Sequence, residues 1–402
     1  MDNSRKISLT YLFLTFLKIG SISWGGFMAL IAVVQKQLVD KDKIIREEMI
    51  LDGISLASVL PGPVAFNVVT YIGFQLRGLK GALVSMLGIL LPSFVLILIM
   101  AVAYSAYGEF PVFSKFFLGI LPAIVAVILS VALTMIQKQI KDYKQLTVCV
   151  LAGIMLFFSH AFYATLLVIF LSGLAGFLLY NKGEPEVRSA FSEALPFNRR
   201  KILLFVTVGI LFIVGLLLIS SNFDAATASK YKLIQTIFLT FSGISVTLFG
   251  GGYVIIPTIQ HVIVDGLHWL TMNEFSDAIA MGQITPGPIL ISATFIGYHV
   301  AGFLGAIVAT IAIFFPSGII MIIFSRFLDQ IKKSNKITSI FKGMRPAIIG
   351  MIISAAFTIG KGAVIAWPSV LIFLIIFALL VKFRLNVVYL IPLSGVAGIL
   401  LF

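Results

Sequence analysis

The tripeptide Pro-Gly-Pro occurs twice in this chain, at residues 61–63 and 286–288, each time within a long apolar segment. Proline cannot continue an α-helix, because it lacks the backbone N–H and its ring clashes with the preceding turn. With 14 Pro and 34 Gly in the sequence, chance alone gives on the order of 0.04 Pro-Gly-Pro per chain. The fold must therefore accommodate two matched breaks in apolar helices.

The apolar segments themselves indicate a membrane protein. Hydrophobic residues make up 60% of the chain, charged residues 11%, and the mean hydropathy is +1.10. Runs of about 20 apolar residues are typical of membrane-spanning helices. We predict an all-α polytopic membrane protein in a lipid bilayer, with apolar segments at 9–34, 81–106, 116–137, 145–159, 161–180, 202–220, 231–260, 303–325, 344–360, 363–381 and 386–402.

Two further segments, 49–76 and 274–300, are cut by Pro-Gly-Pro. Their arms are about 12 residues, or roughly 18 Å of helix, which is too short to cross a hydrocarbon core of about 30 Å. Each segment is therefore either a discontinuous crossing helix or a re-entrant element that returns to the side from which it came. Both forms bring irregular backbone to membrane depth, where it is tolerated only next to protein or a polar cavity.

The chain also contains an internal repeat. The matched features are Trp24-Gly25-Gly26-Phe27 with 249–253, Asp52 with Asp277, 71–74 with 295–298, and Pro92-Ser93 with Pro316-Ser317. We predict a first repeat at 1–180, a linker with one extra spanning helix at 181–230, and a second repeat at 231–402, each repeat holding a Gly-Gly and a Pro-Gly-Pro element plus about four spanning helices.

The net charge of +13 does not indicate nucleic-acid binding, because the basic residues are scattered through short loops. Such charges set membrane orientation. With a cytoplasmic N-terminus and re-entrant elements, 24 of the 29 Lys and Arg face the cytoplasm and 4 face outside. With crossing elements the distribution is 20 to 8. The count favours re-entrant elements in a multi-pass protein of the plasma membrane.

In both arrangements the extra helix at 202–220 makes the second repeat start on the opposite side from the first. The repeats are therefore predicted to be inverted, which is common in secondary transporters.

The breaks predict a binding site for a small oxyanion. A helix that starts at Pro63 or Pro288 leaves its first N–H groups directed at the break, and helix N-termini favour anions. Glycine lets the backbone approach a ligand closely. A simple turn remains the alternative. The predicted site comprises Pro61, Gly62, Pro63, Pro286, Gly287 and Pro288 together with the Gly-Gly bends at Gly25, Gly26, Gly250, Gly251 and Gly252.

Several side chains near the breaks are candidates for anion contact. The polar ones are Asn67, Gln283, Thr285, Ser292 and Thr294, each of which could instead cap a helix. Lys18 is a basic residue within an apolar segment, where such residues are often functional, although its side chain could also reach the interface. Arg77 follows the first hairpin and is explained equally well by membrane orientation.

Four carboxylates, Glu48, Asp52, Glu274 and Asp277, lie in or beside the first arms. They could carry a coupling proton or cation, or they could stabilise helix N-termini. The four histidines share no metal spacing, and no catalytic set is present, so we expect no metal, no cofactor and no enzymatic activity.

Several stretches of the sequence carry a resemblance to a known family. "FLKIGSISWGGFMAL", "LPGPVAFNVVTYIGFQLRGLKGA" and "LPSF" in the first half, with "FGGGYVIIP", "EFSDAIAMGQITPGPILISATFIGYHVAGFLGA" and "FPSG" in the second, resemble the chromate ion transporter family. The resemblance implies two homologous halves and secondary transport of chromate, a dianion similar to sulfate. It places function on Trp24, Gly25, Gly26, 61–63, Asn67, Arg77, 250–252, Gln283 and 286–288.

These inferences predict a secondary transporter of a small inorganic oxyanion, with export of chromate as the leading version. A transporter or channel for another small anion or metabolite, and a membrane scaffold without transport, remain alternatives. A homodimer is compatible with such a fold.

Overall fold

The computed structural model describes residues 7–23, 26–57, 60–107, 111–158, 162–180, 225–248, 256–325, 335–362, 366–383, 385 and 387–402. The regular elements of these residues are helices, in agreement with the predicted all-α membrane protein. The extra helix at 202–220 and the Gly-Gly residues Gly25, Gly250, Gly251 and Gly252, with Trp24, lie outside the described residues.

The described residues of the first half form the helices α1 (Leu9–Ile22), α2 (Gly26–Gln35), α3 (Glu47–Ala57), α4 (Val64–Tyr107), α5 (Pro111–Gln139), α6 (Tyr143–Phe158) and α7 (Phe162–Tyr180). The second half contains α8 (Ala225–Thr247), α9 (Ile256–Gln260), α10 (Met272–Ile284), α11 (Ser292–Phe324), α12 (Asn335–Gly362), α13 (Trp367–Val381) and α14 (Val387–Leu401). Three stretches of the described chain are long and apolar enough to cross a membrane by length and composition, namely 64–107, 115–137 and 289–324.

The apolar segment at 9–34 is two helices rather than one, since α1 ends at Ile22 and α2 begins at Gly26. The Tyr11 hydroxyl near the start of α1 donates to the carboxylate of Asp42, which follows α2. The chain therefore folds back on itself around the Gly-Gly segment.

Both long helices reverse direction sharply. In α4 the backbone leaves helical geometry at Arg77 (φ −142°, ψ 23°) and Gly78 (φ 61°, ψ −150°). In α11 it does so at Ala301 (φ −142°, ψ 25°) and Gly302 (φ 62°, ψ −153°). Each long helix is thus a hairpin of a short arm, 64–76 or 292–300, and a long arm, 79–107 or 303–324.

The two halves repeat the same backbone in other places as well. A π-helical turn follows α2 at Lys36–Lys41 and another follows α9 at His261–Gly266. Lys43 and His268 then adopt left-handed conformations, with φ of 49° and 51°. Agreement at such uncommon conformations indicates that the duplicated sequences fold alike.

The short arms fold back on the helices that precede the breaks. A Cβ atom on Gly53, nine residues before Gly62, would lie 3.0 Å from the ring of Tyr71, nine residues after it. In the second half Glu274, before the break, lies 3.5 Å from His299, after it. The arms on each side of a break are therefore antiparallel neighbours.

The long arm of α4 contacts three different parts of the molecule along its length. Next to its start, Arg77 donates to the Ile7 carbonyl at 2.6 Å. Ser93 donates to the Pro286 carbonyl, and Tyr104 donates to the Asp277 carboxylate at 2.7 Å. At 1.5 Å per residue, Ser93 and Tyr104 lie about 24 and about 40 Å along the helix from Arg77.

Apolar packing joins the halves at the centre of the fold. The rings of Phe66 in α4 and Phe314 in α11 are both fully buried, with centroids 5.1 Å apart. The outer helices meet at glycines: a Cβ on Gly350 would lie 2.0 Å from the Cys149 carbonyl oxygen. Such close approach of backbones is typical of helix packing in membranes.

Candidate functional site

The two Pro-Gly-Pro breaks have the same backbone geometry. Gly62 and Gly287 have φ of +110° and +104°, values that residues with a side chain rarely adopt. Each break separates a preceding helix, α3 or α10, from a short arm. The breaks thus require glycine at their centres, as the sequence suggested.

Each break is hydrogen-bonded to the opposite half. The Gly62 amide donates to the Leu248 carbonyl at 2.7 Å, and the Gly287 amide donates to the Ser23 carbonyl at 2.9 Å. Leu248 and Ser23 are the residues that directly precede the two Gly-Gly segments. The residue that precedes each Gly-Gly segment therefore bonds to the Pro-Gly-Pro break of the opposite half, a reciprocal arrangement that joins the halves.

A serine from the opposite half packs against each break. The Ser93 hydroxyl donates to the Pro286 carbonyl, and a Cβ atom on Gly287 would lie 2.3 Å from Ser93 Oγ. A Cβ atom on Gly62 would lie 2.1 Å from Ser317 Cβ. Sequence reasoning treated these serines only as marks of the repeat, although their match in both halves was the available signal.

The prolines after the glycines do not start the helices as predicted. The first helical hydrogen bond of α4 runs from the Asn67 amide to the Pro63 carbonyl, so Pro63 caps the helix and Val64 is its first residue. Pro288 is likewise the residue before a 3-10 turn at Ile289–Ile291, which leads into α11. The amides at the start of α4 precede the first intrahelical bond and so have no partner within their own helix.

The polar candidates beside the breaks differ in what they already bind. Asn67 is fully buried, and its Nδ2 donates to the Pro61 carbonyl at 3.0 Å while its Oδ1 has no hydrogen-bond partner within the described residues. Ser292, four residues after Pro288, is 1% exposed, and its Oγ also has no partner among them. Buried polar atoms of this kind are costly unless a ligand or water satisfies them.

Thr285 and Thr294 are committed to hydrogen bonds within the protein. The Thr285 hydroxyl donates back to the Met281 and Gly282 carbonyls, so it caps its own helix. Thr294 is hydrogen-bonded to Thr310 at 2.7 Å. Gln283 lies in the last turn of α10.

The basic candidates lie on α1 and at the reversal of α4. The Lys18 side chain is exposed on α1. Arg77 donates to the Ile7 carbonyl at the reversal of α4, about 15 residues from Gly62 along the chain. Their roles in anion binding stay predictions, and Arg77 has a clear structural role at the start of α1.

The carboxylates of the two halves differ in exposure. Asp52 is 8% exposed and Glu48 is exposed. Asp277 accepts from the Tyr104 hydroxyl, and Glu274 caps α10 through Thr271 and lies 3.5 Å from His299. We refer to Tyr104, Glu274, Asp277 and His299 as the titratable cluster.

An aromatic ring joins the members of the titratable cluster. The Phe295 centroid lies 5.2 Å from that of Tyr104 and 6.4 Å from that of His299, against which it stacks. Sequence reasoning identified the two carboxylates but missed Tyr104 and His299. Tyr104 lies 173 residues from Asp277 in the sequence, so no local pattern links them.

Comparison with known proteins relates this chain to a protein family. The family model described as "Chromate transporter" matches residues 10–177 and 235–399. An uncharacterized transporter of Methanocaldococcus jannaschii is 30% identical over 100% of this chain and 96% of its own length. The chromate transport protein of Cupriavidus metallidurans is 28% identical over 94% of this chain and 89% of its own.

A shorter relative matches only part of the chain. An uncharacterized transporter of Bacillus subtilis is 28% identical over 39% of this chain and 89% of its own length. No solved structure matches the chain.

Proposed function

This chain belongs to the chromate transporter family, and we propose that it is a secondary transporter that exports chromate or a similar small oxyanion across the plasma membrane. Members of this family are transporters and not enzymes. The apolar helices and the family together make the protein a membrane protein.

One observation carries the proposed site. Two Pro-Gly-Pro breaks are bonded across the halves, and beside them lie the buried polar groups of Asn67 and Ser292, each four residues after its break. The Ser292 hydroxyl has no acceptor among the described residues, the Asn67 amide group has a second N–H, and the first amides of α4 have no partner within their own helix. Donors of this type bind oxyanions. The proposed binding site therefore lies at the breaks.

The proposed arrangement inverts the halves 1–180 and 231–402 about the linker 181–230, with the N-terminus in the cytoplasm. The contacts of the α4 long arm support it. The arm begins next to Arg77, which contacts Ile7, and Ser93 in its middle contacts the second break. Tyr104 near its other end, about 40 Å from Arg77, belongs to the titratable cluster. We call the start of each first arm, near Glu48 or Glu274, the entrance of its half. In this arrangement the two entrances open on opposite sides, with the breaks between them.

The coupling ion in this proposal is the proton. Asp277 is held by a tyrosine hydroxyl, and its neighbour Glu274 faces His299, so groups that bind and release protons are in contact at the entrance of the second half. Asp52 occupies the matched position of the first half and is buried.

Uptake of labelled chromate and sulfate into proteoliposomes, with and without a pH gradient, tests this function. We expect saturable chromate flux that sulfate inhibits and that a pH gradient accelerates. If folded protein moves neither anion, the substrate class is wrong. If chromate flux does not respond to the pH gradient, proton coupling is wrong, but the oxyanion substrate class stands.

A further inference from the structure

Ser93 and Ser317 follow the in-helix prolines Pro92 and Pro316 and occupy equivalent places in the two long arms. Both are fully buried. Each lies against the glycine of the opposite break, as the position of a Cβ atom on Gly62 or Gly287 shows. Neither break is therefore enclosed by its own half alone.

The two hydroxyls are used differently. Ser93 donates to the Pro286 carbonyl across the interface. At the first break the matching Pro61 carbonyl already accepts from Asn67, and Ser317 instead donates to the Phe314 carbonyl within its own helix at 2.9 Å. A hydroxyl bonded to a carbonyl three residues back can rotate to another acceptor at small cost.

Two donor groups converge at Gly62. A Cβ atom placed on this glycine would lie 2.6 Å from Ser317 Oγ and 3.1 Å from Asn67 Nδ2. Gly62 is therefore in close contact with one donor group from each half, and its lack of a side chain is what allows Ser317 to approach.

From this geometry we infer that Ser317 is a further substrate-binding residue and that Ser93 is a positioning residue; the inference rests on the proposed oxyanion transport. Ser317 turns its hydroxyl from the Phe314 carbonyl to the anion. Ser93 fixes the Pro286 carbonyl, whose negative end is thereby kept from facing the anion. Because each serine serves the break of the opposite half, a complete site requires both halves.

Ser317→Ala tests the binding role, and Ser325→Ala is its matched control. Ser325 directly follows the same long arm as its C-cap, is 7% exposed, and donates to the Ile322 carbonyl three residues back at 2.7 Å. Loss of a hydrogen bond to a charged ligand weakens binding by about ten- to a hundredfold. We expect Ser317→Ala to raise the KM for chromate by that factor with little change in maximal rate, and Ser325→Ala to leave both unchanged.

The positioning role of Ser93 needs a readout that a general loss of stability would not move. We expect Ser93→Ala to lower the Tm of the detergent-solubilised protein and also to reduce the rise in Tm that chromate produces. A purely structural serine would lower the Tm but leave that rise intact.

The outcomes separate the inference from the function on which it rests. If Ser317→Ala and Ser325→Ala both transported chromate with the KM of the wild type, the role of Ser317 would be overturned, but the proposed function would stand. An unchanged chromate-induced rise in Tm for Ser93→Ala would overturn the role of Ser93. Absence of both flux and chromate-induced stabilisation in the wild type would overturn the proposed function, and the inference with it.

Discussion

Replacing Gly287 by alanine tests how the second break is held. The glycine has φ of +104°, and a Cβ atom there would lie 2.3 Å from Ser93 Oγ but 3.5 Å from Ser93 Cβ. The first distance is a severe overlap, whereas the second is an ordinary van der Waals contact. The hydroxyl of Ser93, rather than its carbon, therefore opposes the substitution.

The expected cost has two parts. Holding a residue with a side chain at this φ costs about 1–3 kcal/mol. Displacing the Ser93 hydroxyl leaves the Pro286 carbonyl buried without its donor, which costs about another 1–3 kcal/mol. Gly287→Ala should therefore destabilise the protein by about 2–6 kcal/mol.

Two further variants separate these parts. Gly302→Ala provides a control for backbone strain, because Gly302 has φ of +62° and a Cβ atom there would meet nothing within 4 Å. Ser93→Ala should lower the Tm in the wild type. In the Gly287→Ala background it should cost almost nothing, because the hydroxyl has already lost its acceptor there.

This coupling is measured by thermal unfolding, in the same detergent, of five proteins: the wild type, Gly287→Ala, Gly302→Ala, Ser93→Ala and the Ser93→Ala/Gly287→Ala double variant. If Ser93→Ala lowered the Tm by the same amount in the wild type and in Gly287→Ala, the overlap between the Ser93 hydroxyl and the new Cβ atom at position 287 would not be the cause of the destabilisation. Equal decreases in Tm for Gly302→Ala and Gly287→Ala would likewise show that the destabilisation by Gly287→Ala arises from backbone strain alone. Either result would refute the proposal that the Ser93 hydroxyl holds the second break.

Three other predictions concern coupling, orientation and a loop. Tyr104→Phe removes the donor to Asp277 and should reduce the stimulation of chromate flux by a pH gradient, whereas unchanged stimulation would exclude Tyr104 from coupling. A cysteine at Val39, in the turn after α2, should react with an impermeant thiol reagent only from the cytoplasmic side, and labelling from outside would favour crossing elements. Partial burial raises the pKa of Asp142, but the Gln145 amide and the Tyr180 hydroxyl lower it below its usual value overall. A carboxyl with a depressed folded-state pKa stabilises the fold above its unfolded pKa and loses this effect as the pH falls through the folded value. Tyr180→Phe should therefore lower the Tm at pH 7 more than at pH 3, and equal losses would contradict this reading.

Local patterns predicted much of the fold. The predicted ends of the broken segments, at 76 and 300, fall directly before the reversals at Arg77 and Ala301. The apolar segments at 145–159 and 161–180 correspond closely to α6 and α7. Apolar length and glycine are local properties of a sequence, which is why such boundaries could be predicted from it.

The interior of the site could not be predicted in the same way. The bonds from Gly62 to Leu248 and from Gly287 to Ser23 join residues far apart in the sequence, and backbone groups carry no residue-specific signal. The repeat showed that Ser93 and Ser317 correspond, but it could not show that each faces the opposite break. The one-residue shift of the prolines arises because Pro63 contributes its carbonyl to the first helical bond rather than joining the helix.

The departures from symmetry are as informative as the repeat itself. Asp52 and Asp277 occupy matched positions but differ in exposure, since Asp52 is buried and Asp277 is partly exposed, and the position that matches His299 is Gln75, which does not titrate near neutral pH. The titratable cluster therefore marks one of two matched entrances, because its histidine corresponds to Gln75 in the first half. In the proposed transporter the anion site is built from both halves, whereas the cluster proposed to bind the coupling proton lies at one entrance.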